Sequence, residues 1–411
     1  MKRRLFGLDC VRIMALCLLF WLHFFLRNGF YSRQVAGPAM IAAAAVRCIC
    51  LTCVPLFLML TGCLKCGKEY KKGYYHSLPV IIISWVIISF ICLFYDVRIA
   101  GQHKSAYAWA VDFFSFDLAN YSWYVNMYIG LDLMSPFINK LWNALENKKS
   151  RAALLIVMIS ITFLPTTLNS FKFDGETAMH LLPGFWVNLW FITYYLIGCW
   201  IRTYQPTVRR IPAIAVSIAL GFFAAVVDSR TGGAETKFYD GYTMTYSHLV
   251  TAASAVLLFL AVYRIRTKSS VLKFMAKHIS AVSLEMYLIS CVFDQKIYRW
   301  QYGKYPPSEY WWRGLLCTAA VFGLSFGSGF LVHQASGWIW KGIRACGHFA
   351  GSLFHRDGLP SAERVEKAAA DGKAAADRRY TADGKAAADG ENMEDSAHDE
   401  NKNTGESGSV R

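Results

Sequence analysis

Along the chain, long unbroken apolar runs alternate with short clusters of charge. The runs are continuous rather than alternating, and each is close to the ~20 residues that a helix needs to cross the hydrocarbon core of a bilayer. Runs of this kind can be read at about 9–29, 39–63, 77–95, 122–144, 152–168, 186–202, 211–228, 245–263, 280–298 and 314–337, each limit being soft by a few residues. A transmembrane barrel would show strands of alternating polarity. A soluble globule would show amphipathic segments instead. The pattern predicts an all-α fold, a polytopic membrane helical bundle of about ten transmembrane helices. The first run is expected to be an uncleaved span rather than a signal peptide, because Arg12 and His23 interrupt it and many further runs follow.

The Lys and Arg residues sort by side. Lys2–Arg4, Lys65–Lys72, Lys148–Arg151, Arg202–Arg210, Arg264–Lys277 and Lys341–Arg344 fall at one set of span ends, about 20 basic groups against about 11 on the other. This bias puts both termini in the cytoplasm, in agreement with an even number of spans. The opposite loops are longer and aromatic, with Tyr107, Trp109 and Tyr121 in one and Trp300, Tyr302, Tyr305 and Trp311 in another. Such rings form an interfacial belt or stack on sugar rings, and both readings are open.

Composition refines this picture. Hydrophobic residues make up 55% of the 411, as a multi-span chain requires. The net charge of +15 divides into about +20 before Asp357 and about −5 after it, because the tail is acidic. The basic excess therefore belongs to the span ends, and orientation explains it better than nucleic-acid binding does. Repeats such as Ala368–Asp371 and Ala374–Asp377 give the tail low complexity, with Gly interrupting each Ala run. The expected division is a transmembrane domain over 1–345 and a disordered cytoplasmic appendage over 346–411. Most of the 12 cysteines lie inside apolar runs and are expected to act as small buried residues. The lone Cys63–Cys66 pair has CxxC spacing but no second pair to complete a metal site, so no metal is expected.

The first span carries the candidate chemistry. Arg12 and His23 are 11 residues apart, which puts them on one helical face about 16 Å apart along the axis. Asp9 lies one turn before Arg12 and could pair with it. Ionisable groups inside a bilayer normally face the bundle interior or a watery cavity. The plainer reading is a snorkelling Arg12 and a hydrogen-bonded core His23. Arg47 enters the second span from the other side to a depth of roughly 12 Å, similar to His23, and is expected either to line the same cavity or to make a packing ion pair. Asp132, Glu285 and Asp294 are candidate proton-relay or packing groups. His248 is expected at an interface, and His180 lies in an outer loop.

Several of these stretches resemble one family. Arg12-x10-His23 with its lead-in Leu8–Arg12, then Cys53–Lys65, Trp123–Asn139, Leu182–Ile201 and Ser283–Ser290 are, in that order, similar to the acyltransferase 3 family of integral-membrane acyltransferases, over roughly residues 5–340. The resemblance implies a multi-pass enzyme of the bacterial cytoplasmic membrane. It would move an acyl group, often acetyl, from cytoplasmic acyl-CoA to a hydroxyl of a cell-envelope or exopolysaccharide sugar, with no permanently bound cofactor. It implies essential roles for Arg12 and His23. It also implies donor binding by Arg12 with Lys71, Lys72 and His76, although His76 stands where an arginine is expected. Asp132 departs from the pattern as well. Arg47, Trp123 and Tyr124 are expected on the acceptor side. His23 could act as a general base or as a covalent acyl carrier. Buried charge and many spans also suit a transporter or flippase of a glycan or small anion, but no internal repeat relates the two halves. A non-catalytic receptor would have no use for the in-register Arg12 and His23. The acceptor sugar and the oligomeric state are not legible.

Overall fold

In the computed structural model the described residues are 5–32, 37–71, 73–172, 176–231, 245–301, 304, 306 and 309–356. Residues 346–356 of the expected disordered tail belong to the last helix, and the rest of the tail lies outside the described residues, as do Lys72, Tyr302 and Tyr305. Among the described residues there are helices and turns and no strands. The helices are α1 (Phe6–Arg27), α2 (Gly37–Cys50), α3 (Cys53–Lys65), α4 (Leu78–Arg98), α5 (Ala106–Phe114), α6 (Trp123–Ala144), α7 (Lys148–Thr162), α8 (Leu164–Asn169), α9 (Gly184–Val187), α10 (Trp190–Tyr204), α11 (Arg210–Thr231), α12 (Leu249–Val262), α13 (Ser270–Ala281), α14 (Ser283–Ile297) and α15 (Tyr310–Arg356). The chain divides into two compact units, Met1–Trp340 and Lys341–Arg411, and the contacts below all lie in the first.

Each of the ten apolar runs holds helix, but among the described residues 7 segments are long and apolar enough to cross a membrane: Phe6–Arg27, Gly37–Lys65, Leu78–Arg98, Lys148–Asn169, Gly184–Tyr204, Arg210–Thr231 and Trp311–Cys346. The other three runs fall short for physical reasons. α6 has 22 residues but carries Asn126, Asp132, Asn139 and Lys140. α12 is apolar but only 14 residues long. α14 has 15 residues and contains Glu285 and Asp294.

The second span is broken into α2 and α3 at Leu51–Thr52. Pro55 has no N–H to return to the Leu51 carbonyl, so the regular ladder cannot run through this point. The Thr52 hydroxyl caps the break by donating to the Ile49 carbonyl at 2.7 Å. Beyond it, α3 packs on α10 through two glycines. A Cβ on Gly62 would stand 2.0 Å from the Tyr195 carbonyl oxygen, and one on Gly198 would stand 2.1 Å from that of Met59. Small residues allow such backbone approach where no hydrophobic driving force brings helices together.

α1 is central, touching α2, α3, α12, α13 and α14. Its hydrophobic window is 61% buried and that of the α2–α3 segment 72%, against 17% for Lys148–Asn169, which is peripheral. Phe20, Phe24 and Tyr298 sit in the middle, with the Phe24 and Tyr298 rings edge-to-face at 5.5 Å. The basic stretch between the 245–263 and 280–298 runs holds an amphipathic helix, α13, with Val271, Leu272, Phe274 and Met275 exposed beside Lys273.

Candidate active site

His23 faces α14 from the last third of α1. Its Nδ1 stands 3.5 Å from Oδ2 of Asp294, whose side chain is fully buried while His23 keeps a tenth of its own side chain accessible. The same Oδ2 accepts a 2.5 Å hydrogen bond from the Tyr121 hydroxyl. Oδ1 lies 3.9 Å from Arg27 Nε, one turn beyond His23 on α1. The Tyr121 hydroxyl is thus the hydrogen-bonded donor, with the His23 and Arg27 nitrogens nearby, and Arg27 Nε in turn donates to the Tyr121 hydroxyl at 3.4 Å. The Tyr121 ring also stacks on the imidazole, with centroids 3.8 Å apart. Tyr121 itself is pinned from two sides. The Tyr287 hydroxyl donates to its carbonyl at 2.5 Å, and Trp85 Nε1 donates to the neighbouring Ser122 hydroxyl at 3.0 Å. An imidazole held by a buried carboxylate and a ring face is fixed in orientation, as a proton-transfer group must be.

Arg12 lies three turns nearer the start of α1. Its Nη1 donates to both the carbonyl and the hydroxyl of Ser280, each at 3.1 Å, where α13 runs into α14. Both ends of the polar face of α1 therefore lean on the α13–α14 segment.

From His23 a train of rings leads outward. Tyr121 stacks on Tyr287 at 5.9 Å, and Tyr287 meets Tyr124 edge-on at 5.8 Å. Tyr124 contacts Trp123 at 6.0 Å, and Trp123 stacks on Tyr246 at 5.9 Å. Tyr124 is 8% exposed and Trp123 is 41% exposed, so Trp123 is the more open of these two rings.

The other expected site residues fall elsewhere. Arg47 is buried, donates from Nε to the Tyr31 hydroxyl at 2.7 Å and lies over the Tyr31 ring. It therefore faces the turn after α1. Lys71 is exposed and pairs with Glu69 at 2.8 Å. Their hydrogen bond and mutual charge push the Glu69 carboxyl down and the Lys71 ammonium up. His76 is exposed, with Nδ1 2.9 Å from the Gly73 carbonyl. Asp132 pairs with the buried Lys65. Glu285 accepts from the Ser84 hydroxyl at 3.0 Å and meets His333 Nδ1 at 2.9 Å. His248 caps α12, accepting at Nδ1 from the Val250 N–H. Among the described residues no group of three His, Cys, Asp or Glu side chains converges as metal ligands would.

The roles of Asp294 and Tyr121 beside His23 were not legible in the chain, although both are visible as features, one a charge in an apolar run and the other an aromatic in an outer loop. Their partner lies 271 and 98 positions away in sequence, and no periodicity reports such a contact.

Residues 5–330 match the family model described as an acyltransferase domain. No curated protein and no solved structure matches the chain.

Proposed function

The chain belongs to the acyltransferase 3 family and is a multi-pass membrane acyltransferase; from that premise we propose that it transfers acetyl from cytoplasmic acetyl-CoA to a hydroxyl of a cell-envelope or exopolysaccharide sugar. The observation that carries this reading is the His23–Asp294–Tyr121 cluster, whose His23 lies on the same helix as Arg12, about 16 Å further along it. One span thus offers an anion-binding group near its start and an oriented proton acceptor near its end. In this reading both termini are cytoplasmic, the membrane is the bacterial cytoplasmic membrane, and the donor arrives at the start of α1.

The chemistry follows from the residues. The acceptor hydroxyl gives its proton to His23 as its oxygen attacks the thioester carbonyl. The carbon–sulfur bond breaks, the ester forms, and the proton leaves His23 for the departing thiolate. Asp294 stabilises the imidazolium that forms in between. Arg12 orients the donor, its guanidinium pairing with phosphate or an amide carbonyl of the arm. Lys71, Lys72 and His76 add basic character at the donor end. Trp123 offers a face on which a sugar ring can stack, and Tyr124 backs it.

The test is acyl transfer in inverted membrane vesicles supplied with radiolabelled acetyl-CoA, comparing the native chain with His23→Ala at equal protein level. Label reaching carbohydrate with the native chain and not with His23→Ala is the expected result. Label held on the protein itself marks a covalent carrier. Equal transfer by both removes His23 from the chemistry. No label with acetyl-CoA or succinyl-CoA turns the reading toward a transporter.

A further inference from the structure

At the end of the bundle where α1 begins there is a cavity of about 730 Å³ that takes in none of the residues of the site above. Its size falls within the range of pockets that hold cofactor-sized ligands. The floor is apolar and buried, formed by Leu8, Cys63, Ile201 and Tyr263. The rim is cationic and exposed, formed by Arg202, Arg264, Arg266, Lys268 and Lys273. No Asp or Glu is among the lining residues. Gly7 lets the floor close, because a Cβ there would stand 2.1 Å from the Tyr263 carbonyl oxygen.

Orientation in a membrane requires cations on the loops of one side, but it does not require five of them around one concavity. Like charges gathered at a cleft with low-dielectric walls repel one another and concentrate a positive field, which an anion relieves. Guanidinium groups suit phosphate in particular, since they present paired donors. The apolar floor suits a flat heterocycle. The combination of heterocycle and phosphates is that of a phosphorylated nucleotide.

The cavity also connects to the site. Two of its walls, α1 and α13, leave it together and meet again at the Arg12–Ser280 contact. Arg12 is about 6 Å of helix beyond Leu8, and His23 about 16 Å beyond Arg12. We propose that this basic cavity holds the nucleotide end of the acyl-coenzyme A donor, with its 3′-phosphate and diphosphate on the arginine and lysine rim and its acyl arm laid along α1 past Arg12. This inference rests on the donor reading above. It moves the phosphate contact from the 66–77 loop, where Lys71 is engaged by Glu69, to the junction of α10, α12 and α13.

The experiment is calorimetric titration of coenzyme A and dephospho-coenzyme A into the full chain in nanodiscs of zwitterionic lipid. The variants are Arg264→Glu with Arg266→Glu, Lys71→Glu, and Lys140→Glu, an exposed lysine on α6 that serves as a charge control. The double variant is expected to bind coenzyme A at least tenfold more weakly and to lose the preference for coenzyme A over its dephospho form. Lys140→Glu stays within twofold. An unchanged Kd in the double variant overturns the proposal, as does a loss confined to Lys71→Glu. Should the double variant fail to fold, Arg266→Gln and Lys268→Gln taken singly each weaken binding about threefold, and no weakening in either overturns the proposal. A second arm follows anionic lipid through purification. Lipid kept by the native chain and lost from the double variant, with equal coenzyme A affinity in both, makes the cavity a lipid site and overturns the proposal. A native chain that transfers acetyl while the double variant keeps its coenzyme A affinity fails this cavity alone. A native chain that neither binds coenzyme A nor transfers acetyl fails the donor reading as well.

Discussion

Replacing Asp294 by Asn tests the site at its most buried point. The side chain is fully buried and accepts the Tyr121 hydroxyl at 2.5 Å, with His23 Nδ1 3.5 Å and Arg27 Nε 3.9 Å from its oxygens. Asparagine keeps the shape but offers one acceptor oxygen and one amide NH2. The amide NH2 then faces either the Tyr121 hydroxyl and His23 Nδ1 or the Arg27 guanidinium. The carboxylate that would stabilise an imidazolium is also gone. Loss of one hydrogen bond to a charged group costs about 1.5–3 kcal/mol. At 1.36 kcal/mol per decade, that is roughly a 10- to 150-fold fall in rate. The loss should appear in kcat rather than in the KM for the donor, because the contact serves the proton transfer and not donor binding. The assay is the initial rate of acyl transfer in inverted vesicles at saturating donor and equal protein level, with thermal unfolding measured in parallel. A kcat within threefold of native, in a variant whose Tm is intact, would refute the claim that Asp294 orients His23.

Further predictions follow from contacts elsewhere in the bundle. Lys65→Met leaves Asp132 buried without its cation and should cost about 3–5 kcal/mol, much of it recovered when Asp132→Leu is added; thermal unfolding of the two single variants and the double variant measures the coupling. Gly198→Ala would drive a Cβ to 2.1 Å from the Met59 carbonyl oxygen, so α3 and α10 must part; a loss of about 1–3 kcal/mol in stability is expected, and an unchanged Tm would contradict the close contact. Glu285→Gln disturbs the Ser84 and His333 bonds and should cost about 1–3 kcal/mol of stability, read by thermal unfolding.

Apolar run length alone locates the helices, because in a bilayer length and hydropathy decide what can span. It does not locate the break in the second span, where one proline removes one N–H. It also misses α13, whose apolar face fills only 12 residues among lysines. Arg12 and His23 are legible because 11 residues on one helix fix both spacing and face. Arg47 shows the limit of the same argument. Depth along a helix can be counted from sequence, but rotation about the helix axis depends on neighbours, and the neighbours of α2 turn Arg47 to Tyr31. The partners of Asp132, Glu285 and Asp294 were likewise invisible, since each belongs to a helix far away in the chain.

α14 carries two acids nine residues apart, Glu285 and Asp294, and nine residues at 100° each is two and a half turns. The two carboxylates therefore leave the helix on opposite sides, one toward α4 and α15 through Ser84 and His333, the other toward α1 through His23. Hydrocarbon side chains in a membrane carry little directional information, since a lipid tail can replace a neighbouring leucine at small cost. A helix held by greasy contacts alone could slide or turn by a residue with little penalty. α14 cannot do so, because a turn that improves one acid's contacts spoils those of the other. The pair acts as an address, fixing the azimuth and height of α14 between two neighbours and so the position of the carboxylate beside His23.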